Sequence, residues 1–203
     1  MSLNQHYKDH HRPDMSERAR TKQGYYRIFH PEKYIGNTQT IIFRSSWEFS
    51  FMKWCDASPS IIHWSSEPTR IPYYDRVSKL EECRKLGLDP NNPKNWVIKF
   101  YNVDFWIEIN KGDHIEKWFI EIKPKHKQNK PIPPPVGARL REQKRYNNLM
   151  KEFIINEAKW AAMNEWARKN NCKFYIFTEE IMSKLGILGG RFEYNKETNK
   201  YQK

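Results

Sequence analysis

The chain has 203 residues, with 36 Lys and Arg against 24 Asp and Glu, and therefore carries a formal charge of +12. Hydrophobic residues make up 38% of the chain and aromatic residues 15%. This apolar content is enough for a real core and excludes wholesale disorder. The length suits a single domain.

The same sequence argues against a membrane-spanning or secreted protein. No apolar run approaches the roughly 18 residues that a membrane span needs, and residues 1–14 lack the apolar segment of a signal peptide. Cys55, Cys83 and Cys172 are an odd number without a CxxC pair, which argues against disulfides and a cysteine zinc site. We therefore expect a protein of the reducing cytoplasm, with no membrane partner and no small-molecule cofactor.

The first third of the chain contains one predicted helix and two predicted strands. Residues 1–24 are polar without apolar periodicity and are expected to form a flexible basic arm. Aromatic residues at helical spacing predict a helix over 46–57, with Ser45 or Ser46 as the N-cap. Short apolar runs then predict strands at 61–64 and 70–74, separated at Glu67-Pro68.

The rest of the predicted domain, residues 25–190, alternates strands with longer irregular segments. Residues 76–95 are predicted to be an insertion with a short helix, and 125–138 a basic, proline-rich extended loop. Strand-like stretches cover 97–109 and 116–123, and a helical region from 139 to about 170 is predicted as two helices. A strand from Lys173, a short helix capped by Thr178, an end of order at Gly189-Gly190 and a tail over 191–203 complete the prediction.

A Gly112-Asp113 turn would pair residues whose numbers add up to 225. In that register Phe105 lies opposite Ile120 on an apolar face. On the other face the opposed pairs are Glu108 with Lys117, Trp106 with Phe119 and Asp104 with Glu121, and Lys123 follows two residues later.

Two carboxylates directly opposite each other repel and require compensation. Mg²⁺ supplies it well, because this ion takes one or two carboxylates plus water and substrate phosphate oxygens. Lys123 could then orient or activate a water, or neutralise charge on the phosphate, which indicates phosphodiester hydrolysis. The alternative is a structural ion network in which Asp104, Glu121 and Lys123 only neutralise one another. The register alone does not distinguish this network from a metal site.

The pattern of an Asp followed about sixteen residues later by Glu-x-Lys resembles the PD-(D/E)XK nuclease superfamily. The order of segments is similar to TnsA-type endonucleases, and closer still to the head-completion nucleases of T-even-type tailed phages. The similarity covers residues 25–184 and rests on RSSWE, WSSEPTRIPY, YNVDFWIEI, FIEIKP and NEAKWAAMNEWARKNNCKFYIFTEE. Only this combination in order is specific, since each motif alone is common.

The resemblance implies an α/β fold, with a restriction-endonuclease-like αβββαβ core and a mixed central sheet flanked by helices. It implies Asp104, Glu121 and Lys123 as the catalytic triad and Glu48 as an auxiliary metal ligand and active-site residue. The metal would be Mg²⁺, for which Mn²⁺ can substitute. Val103 replaces the family's proline, and Glu121 stands where TnsA-type enzymes have glutamine.

A basic segment follows the predicted catalytic lysine. Residues 123–151 contain nine Lys or Arg and one acid, Glu142, for a local net charge of +8. A charge run is usually a solvated face, but its start at Lys123 favours a path for the DNA backbone. The predicted DNA-binding residues are Arg44, Lys125, Lys127, Lys130, Arg139, Arg141, Lys144, Arg145 and Lys159.

Glu67 has two interpretations. It could approach the metal or a phosphate through water as a supporting residue, or it could form a salt bridge with Arg70. The sequence does not choose between them.

The leading functional hypothesis is a Mg²⁺-dependent DNA endonuclease, resembling the phage head-completion nucleases, that acts on packaged DNA ends and in head and neck assembly. Expected partners are double-stranded DNA and portal or neck proteins of a phage head. The expected location is the host cytoplasm during assembly, with the virion as a second site. One alternative is a non-catalytic basic protein of the virion that binds the DNA terminus, which the intact acidic residues disfavour. Another is a TnsA-type transposon-end endonuclease.

Overall fold

The computed structural model describes residues 23–188, together with the backbone of residues 193–195 and 200–202. Nearly all of the predicted arm at 1–24, and the predicted end of order at Gly189-Gly190, therefore lie outside the described residues. No helix in the described part of the chain is long and apolar enough to cross a membrane.

Four α-helices and ten β-strands are described, with short 3₁₀ turns between them. The helices are α1 Ser46–Ala57, α2 Leu80–Lys85, α3 Leu140–Lys169 and α4 Glu179–Lys184. The strands are β1 Gly24–Tyr25, β2 Ile42–Phe43, β3 Ile61–Ser66, β4 Arg70–Asp75, β5 Val97–Asn102, β6 Phe105–Asn110, β7 Ile115–Ile122, β8 Lys173–Phe177, β9 Glu193–Asn195 and β10 Lys200–Gln202.

The central sheet has the strand order β3-β6-β7-β8. β3 pairs with β6 and β6 with β7 in antiparallel fashion, whereas β7 and β8 are parallel. A parallel neighbour requires a crossover, and α3 provides it. The sequence α1, β3, β6, β7, α3, β8 is the predicted αβββαβ core with a mixed sheet, so the fold-class prediction is confirmed.

Two hydrophobic clusters hold this core together. One contains Phe51 and Met52 of α1 packed with Phe105 and Ile120 of the central hairpin. The second contains Met163 and Ala167 of α3 with Phe119, Val103, Tyr73 of β4 and Tyr101 of β5. The sheet thus lies between α1 and α3, and its central strand β7 is buried over its last four residues.

The central hairpin has the predicted register. Phe105 pairs with Ile120, Trp106 with Phe119 and Glu108 with Lys117. The Lys111 N–H donates to the His114 carbonyl at 2.9 Å, which closes the Gly112-Asp113 turn. Gly112 has φ +98°, a conformation that favours glycine.

The strand-like stretch 97–109 is not one strand. It breaks at Val103-Asp104 into β5, which pairs with β4 in a separate two-stranded ribbon, and β6, which enters the central sheet. Consequently the two strands predicted early in the chain, observed as β3 and β4, belong to different sheets. Val103 is completely buried and the Asp104 carbonyl accepts the Glu67 N–H at 2.8 Å, so tertiary contacts fix the break.

The predicted pair of helices after residue 139 is wrong, because α3 is one continuous helix of 30 residues. No glycine or proline interrupts it. α1 has the predicted bounds, and Thr178 caps α4 as predicted. The loop 125–138 begins with a 3₁₀ turn at Lys125–Lys127, and the predicted tail contains the antiparallel strands β9 and β10.

Asp75 anchors the insertion at the end of β4. Its carboxylate accepts hydrogen bonds from the backbone N–H groups of Val77 and Ser78 at 2.8 and 3.0 Å, and lies 2.8 Å from the Lys99 ammonium. Burial raises the pKa of Asp75, but the bonds from Lys99, Ser78 and the backbone outweigh it and lower the pKa to about 2.

Replacing Asp75 by asparagine should therefore destabilise the protein by about 1 to 2 kcal/mol at pH 7. A depressed carboxyl pKa stabilises the fold fully above its unfolded value of about 3.8 and loses that effect as pH falls toward 2. The difference between wild type and Asp75→Asn, measured by urea unfolding, should shrink over that range. Asp113→Asn, at a side chain 84% exposed, is the control expected to change little. A difference that is independent of pH would contradict this account.

Candidate active site

The predicted triad converges where β6 begins and β7 ends. Glu121, only 4% exposed, lies on β7 and contacts the Lys123 ammonium at 3.2 Å through its Oε1 atom. The Asp104 carboxylate, in the break before β6, accepts the Ile122 N–H at 2.7 Å. The structure therefore places all three groups at one end of the central hairpin.

The electrostatics of Asp104 show that the carboxylates are close enough to interact. Burial and then the Glu121 charge raise the pKa of Asp104 well above its ordinary value. Glu48 adds to this effect, while the Ile122 hydrogen bond and Lys123 oppose it. Negative charge at this position is therefore under-compensated by the protein itself.

The donor set fits a hard divalent cation. Two carboxylates supply oxygen ligands of the type that Mg²⁺ prefers, and this ion completes its shell with water and phosphate oxygens. Among the described residues, no three His, Cys, Asp or Glu side chains form a ready cluster for a metal. Asp104 and Glu121 would therefore be the principal protein ligands.

Glu48 has a structural role at the start of α1. Its Oε2 atom accepts the Arg44 N–H at 2.8 Å, and its Oε1 atom accepts the Ser45 hydroxyl at 2.9 Å. Ser45 in turn accepts the Glu48 N–H at 3.1 Å, which is the N-cap hydrogen bond of α1. Glu48 is near enough to affect Asp104, but its role as an auxiliary ligand stays a prediction.

Glu67 pairs with Arg44. The two side chains form a bidentate contact with N–O distances of 2.5 and 3.2 Å. The alternative salt bridge of Glu67 with Arg70 is wrong, because the Arg70 guanidinium lies over the Phe100 ring at 4.7 Å. The Glu67 N–H donates to the Asp104 carbonyl, so this ion pair is linked directly to the backbone of the candidate site.

A second ammonium group lies beside the triad. The Lys159 Nζ atom, on α3, is 5.5 Å from the centre of the Tyr101 ring and 5.7 Å from that of Tyr73. These distances are within the range of cation–π contacts. Burial, and then the like charge of Lys123, lower the pKa of Lys159.

Tyr101 is a site residue that sequence reasoning missed. Its hydroxyl donates to the Glu121 Oε2 atom at 2.7 Å, and both residues are buried. Burial, and then the Glu121 charge, raise the pKa of Tyr101 far above its ordinary value. No spacing in the sequence links the two residues, because their contact depends on β5 leaving the central sheet.

The basic segment divides into two parts. Lys125 pairs with Glu180 and Lys127 with Glu152, each at 2.7 Å, while Lys130 is exposed beside them. The other four predicted residues line a shallow depression on the first turns of α3 and are called the helix cluster: Arg139, Arg141, Lys144 and Arg145.

A mixed sheet in an αβββαβ core, with an Asp and a Glu-x-Lys at the end of its central hairpin, defines the class of restriction-endonuclease-like proteins. Residues 58–179 match the model of the TnsA-like endonuclease N-terminal domain, and this range includes the triad. The head completion nuclease of Enterobacteria phage T4 is 34% identical over 157 residues, which cover 77% of this chain and 91% of that protein. The chain therefore belongs to the TnsA-like endonuclease family, and this membership supports a nuclease function.

If the Tyr101 hydroxyl positions Glu121 for a metal, Tyr101→Phe should weaken Mn²⁺ binding by about tenfold, as is common for groups that orient ligands. Free Mn²⁺, measured by electron paramagnetic resonance in the absence of DNA, is the readout.

Tyr26→Phe is the matched control. Tyr26 also donates from a buried hydroxyl to a carboxylate, that of Asp56, at 2.9 Å. The control should retain the wild-type Mn²⁺ affinity. Equal Mn²⁺ affinities of the Tyr101→Phe and Tyr26→Phe variants would show that the Tyr101 hydroxyl has only a structural role.

Proposed function

We propose that the protein is a Mg²⁺-dependent DNA endonuclease, active also with Mn²⁺, that acts on the ends of packaged phage DNA. The observation that carries this proposal is the convergence of Asp104, Glu121 and two lysines, Lys123 and Lys159, at one end of the hairpin. An arrangement of paired carboxylates beside ammonium groups matches the needs of phosphodiester hydrolysis.

In that reaction a water oxygen bonds to phosphorus, one P–O ester bond breaks, the water loses a proton and the departing oxygen gains one. Asp104 and Glu121, with Glu48 as auxiliary, would hold the ion. When bound, Mg²⁺ supplies Lewis-acid polarisation of the phosphate and a more acidic water. The Tyr101 hydroxyl keeps the Glu121 carboxylate in a fixed orientation.

The lysines act on the substrate. Lys123 is held beside Glu121, from which its ammonium can orient the attacking water and donate to a non-bridging phosphate oxygen. Lys159 adds a second positive charge from α3. Both charges would stabilise the negative charge that develops on the phosphate oxygens as the bond to water forms.

Double-stranded DNA is the proposed substrate, and its backbone would follow the basic segment. The helix cluster and the exposed Lys130 would contact phosphates. Arg44, Lys125 and Lys127 would also contact phosphates once these replace their present acidic partners. Such contacts neutralise phosphates and release counterions, and carry no base specificity. Glu67 would support the site by holding Arg44 and the Asp104 backbone.

The phage role is supported by the coverage of the T4 relative, which is named a head completion nuclease and aligns over most of both chains. We accordingly propose action in the host cytoplasm during head assembly, and on the virion, with portal or neck proteins as partners. The buried carboxylates disfavour a purely structural basic protein, because an unused buried charge is costly.

Glu121→Ala and Lys123→Ala should each lower DNA cleavage in Mg²⁺ at least a hundredfold, and EDTA should abolish it. Cutting of linear and circular DNA on gels is the measurement. Glu116→Ala is the matched control, because Glu116 is also an acid of β7 with a lysine partner, Lys173, but lies at the far end of the strand. Undiminished cutting by the Glu121 and Lys123 variants would refute the assigned site.

Replacing the helix cluster by glutamine should weaken DNA binding strongly at 50 mM salt and flatten its salt dependence. Each lost phosphate contact should reduce the slope of log K against log salt by about 0.9. Arg168→Gln with Lys169→Gln, at the other end of α3 and paired with Glu165, is the control expected to bind normally. An unchanged slope in the cluster variant would place the DNA elsewhere.

A further inference from the structure

A small cavity lies between the basic loop and α3, outside the triad. Its volume is about 240 Å³, and a cavity of about 150 Å³ already holds one benzene ring. The loop contributes Lys130, Pro131 and Ile132 to its walls, and the helix contributes Leu149, Phe153 and Asn156. The cavity is therefore large enough for one planar ring. Most of its wall is apolar, and Lys127 and Glu152 are among the polar side chains that also line it.

Asn156 lines this cavity and carries an unpaired donor. The residue is 4% exposed, and its buried Nδ2 atom has no hydrogen-bond partner among the described residues. A buried polar group left unsatisfied costs roughly 1–3 kcal/mol, so such a group is normally paired in the working state of a protein. A rotation about the soft χ2 torsion of Asn156 would present this amide to a ligand in the cavity that brings an acceptor.

The cavity also lies close to the proposed chemistry. Asn156 precedes Lys159 by three residues on one helix, a rise of about 4.5 Å. On the loop side, Lys127 follows the catalytic Lys123 by four residues and also lines the cavity. A nucleotide next to the phosphate bound at the triad is thus within reach.

From this geometry we infer that the cavity binds one unstacked nucleobase of the DNA, next to the phosphate that is cleaved. Phe153, Leu149 and Pro131 would contact the faces of the ring, and Asn156 would donate to a ring carbonyl. The exposed Lys130 at the cavity would meet the attached phosphate. This inference rests on the proposed action on DNA and names the part of the substrate that the site recognises.

Other ligands fit less well. A phosphate inside the cavity would lose its hydration against mostly apolar walls, which is expensive for a charge. An aliphatic side chain of a protein partner would match the walls but leave the Asn156 amide unpaired. A nucleobase provides an apolar ring, a carbonyl acceptor and a charged phosphate outside, and enzymes that extrude bases read them in this manner.

The test compares two labelled six-nucleotide strands in EDTA, where no cleavage occurs: an oligothymidylate and an abasic strand with the same phosphates. Fluorescence anisotropy should show that the wild type binds oligothymidylate at least about tenfold more tightly, the usual effect of stacking one base. Asn156→Leu and Phe153→Ala should lose most of this preference but keep the wild-type affinity for the abasic strand. Asn147→Leu, at an exposed asparagine of the same helix, should retain the preference for oligothymidylate.

Equal affinity of the wild type for the two strands would overturn the inference, even if either variant failed to fold. A preference that persists in both folded variants would overturn it as well. Cleavage with Mg²⁺ is scored separately. A protein that cuts DNA but shows no base preference would support the proposed function and refute the base cavity. A base preference without cutting would support the cavity and refute the proposed cleavage.

Discussion

The break between strands β5 and β6 at Val103-Asp104 determines the geometry of the candidate active site. Val103 is buried completely, and Asp104 is held through its backbone carbonyl by Glu67 and through its carboxylate by Ile122. Because of this break, β5 leaves the central sheet and pairs with β4. Tyr101 then reaches Glu121, and Asp104 faces the end of β7. Without the break, neither contact would form.

Stability and function compete at Glu121. A buried carboxylate costs free energy unless it is paired and hydrogen-bonded, and the protein supplies one lysine and one tyrosine hydroxyl for this purpose. Asp104 nearby has its pKa raised by burial and by Glu121, so the pair remains electrostatically unfavourable. Destabilised groups of this kind are typical of sites adapted for activity rather than stability, and here they favour the proposed metal.

Helix α3 joins the separate parts of the proposed DNA-binding surface. The helix cluster lies on its first turns, the cavity with Asn156 in its middle and Lys159 just beyond. Arg145 and Lys159 are separated by about 21 Å along the helix axis, at a rise of 1.5 Å per residue. A rigid continuous helix keeps these groups at fixed distances, so the proposed DNA-backbone contacts and the proposed site of hydrolysis are held in one geometry.

The sequence by itself determined the elements whose signals are local. The Gly112-Asp113 turn set the hairpin register, and helical spacing with a serine cap set α1. The Asp and Glu-x-Lys pattern located the triad and indicated the family. Only the tertiary structure decided the break at Val103-Asp104, the continuity of α3, the pairing of Glu67 with Arg44 and the contact from Tyr101 to Glu121. These features depend on residues far apart in the chain, whose approach is set by burial and by hydrogen bonds between sheets. No periodicity or spacing within one segment encodes such contacts.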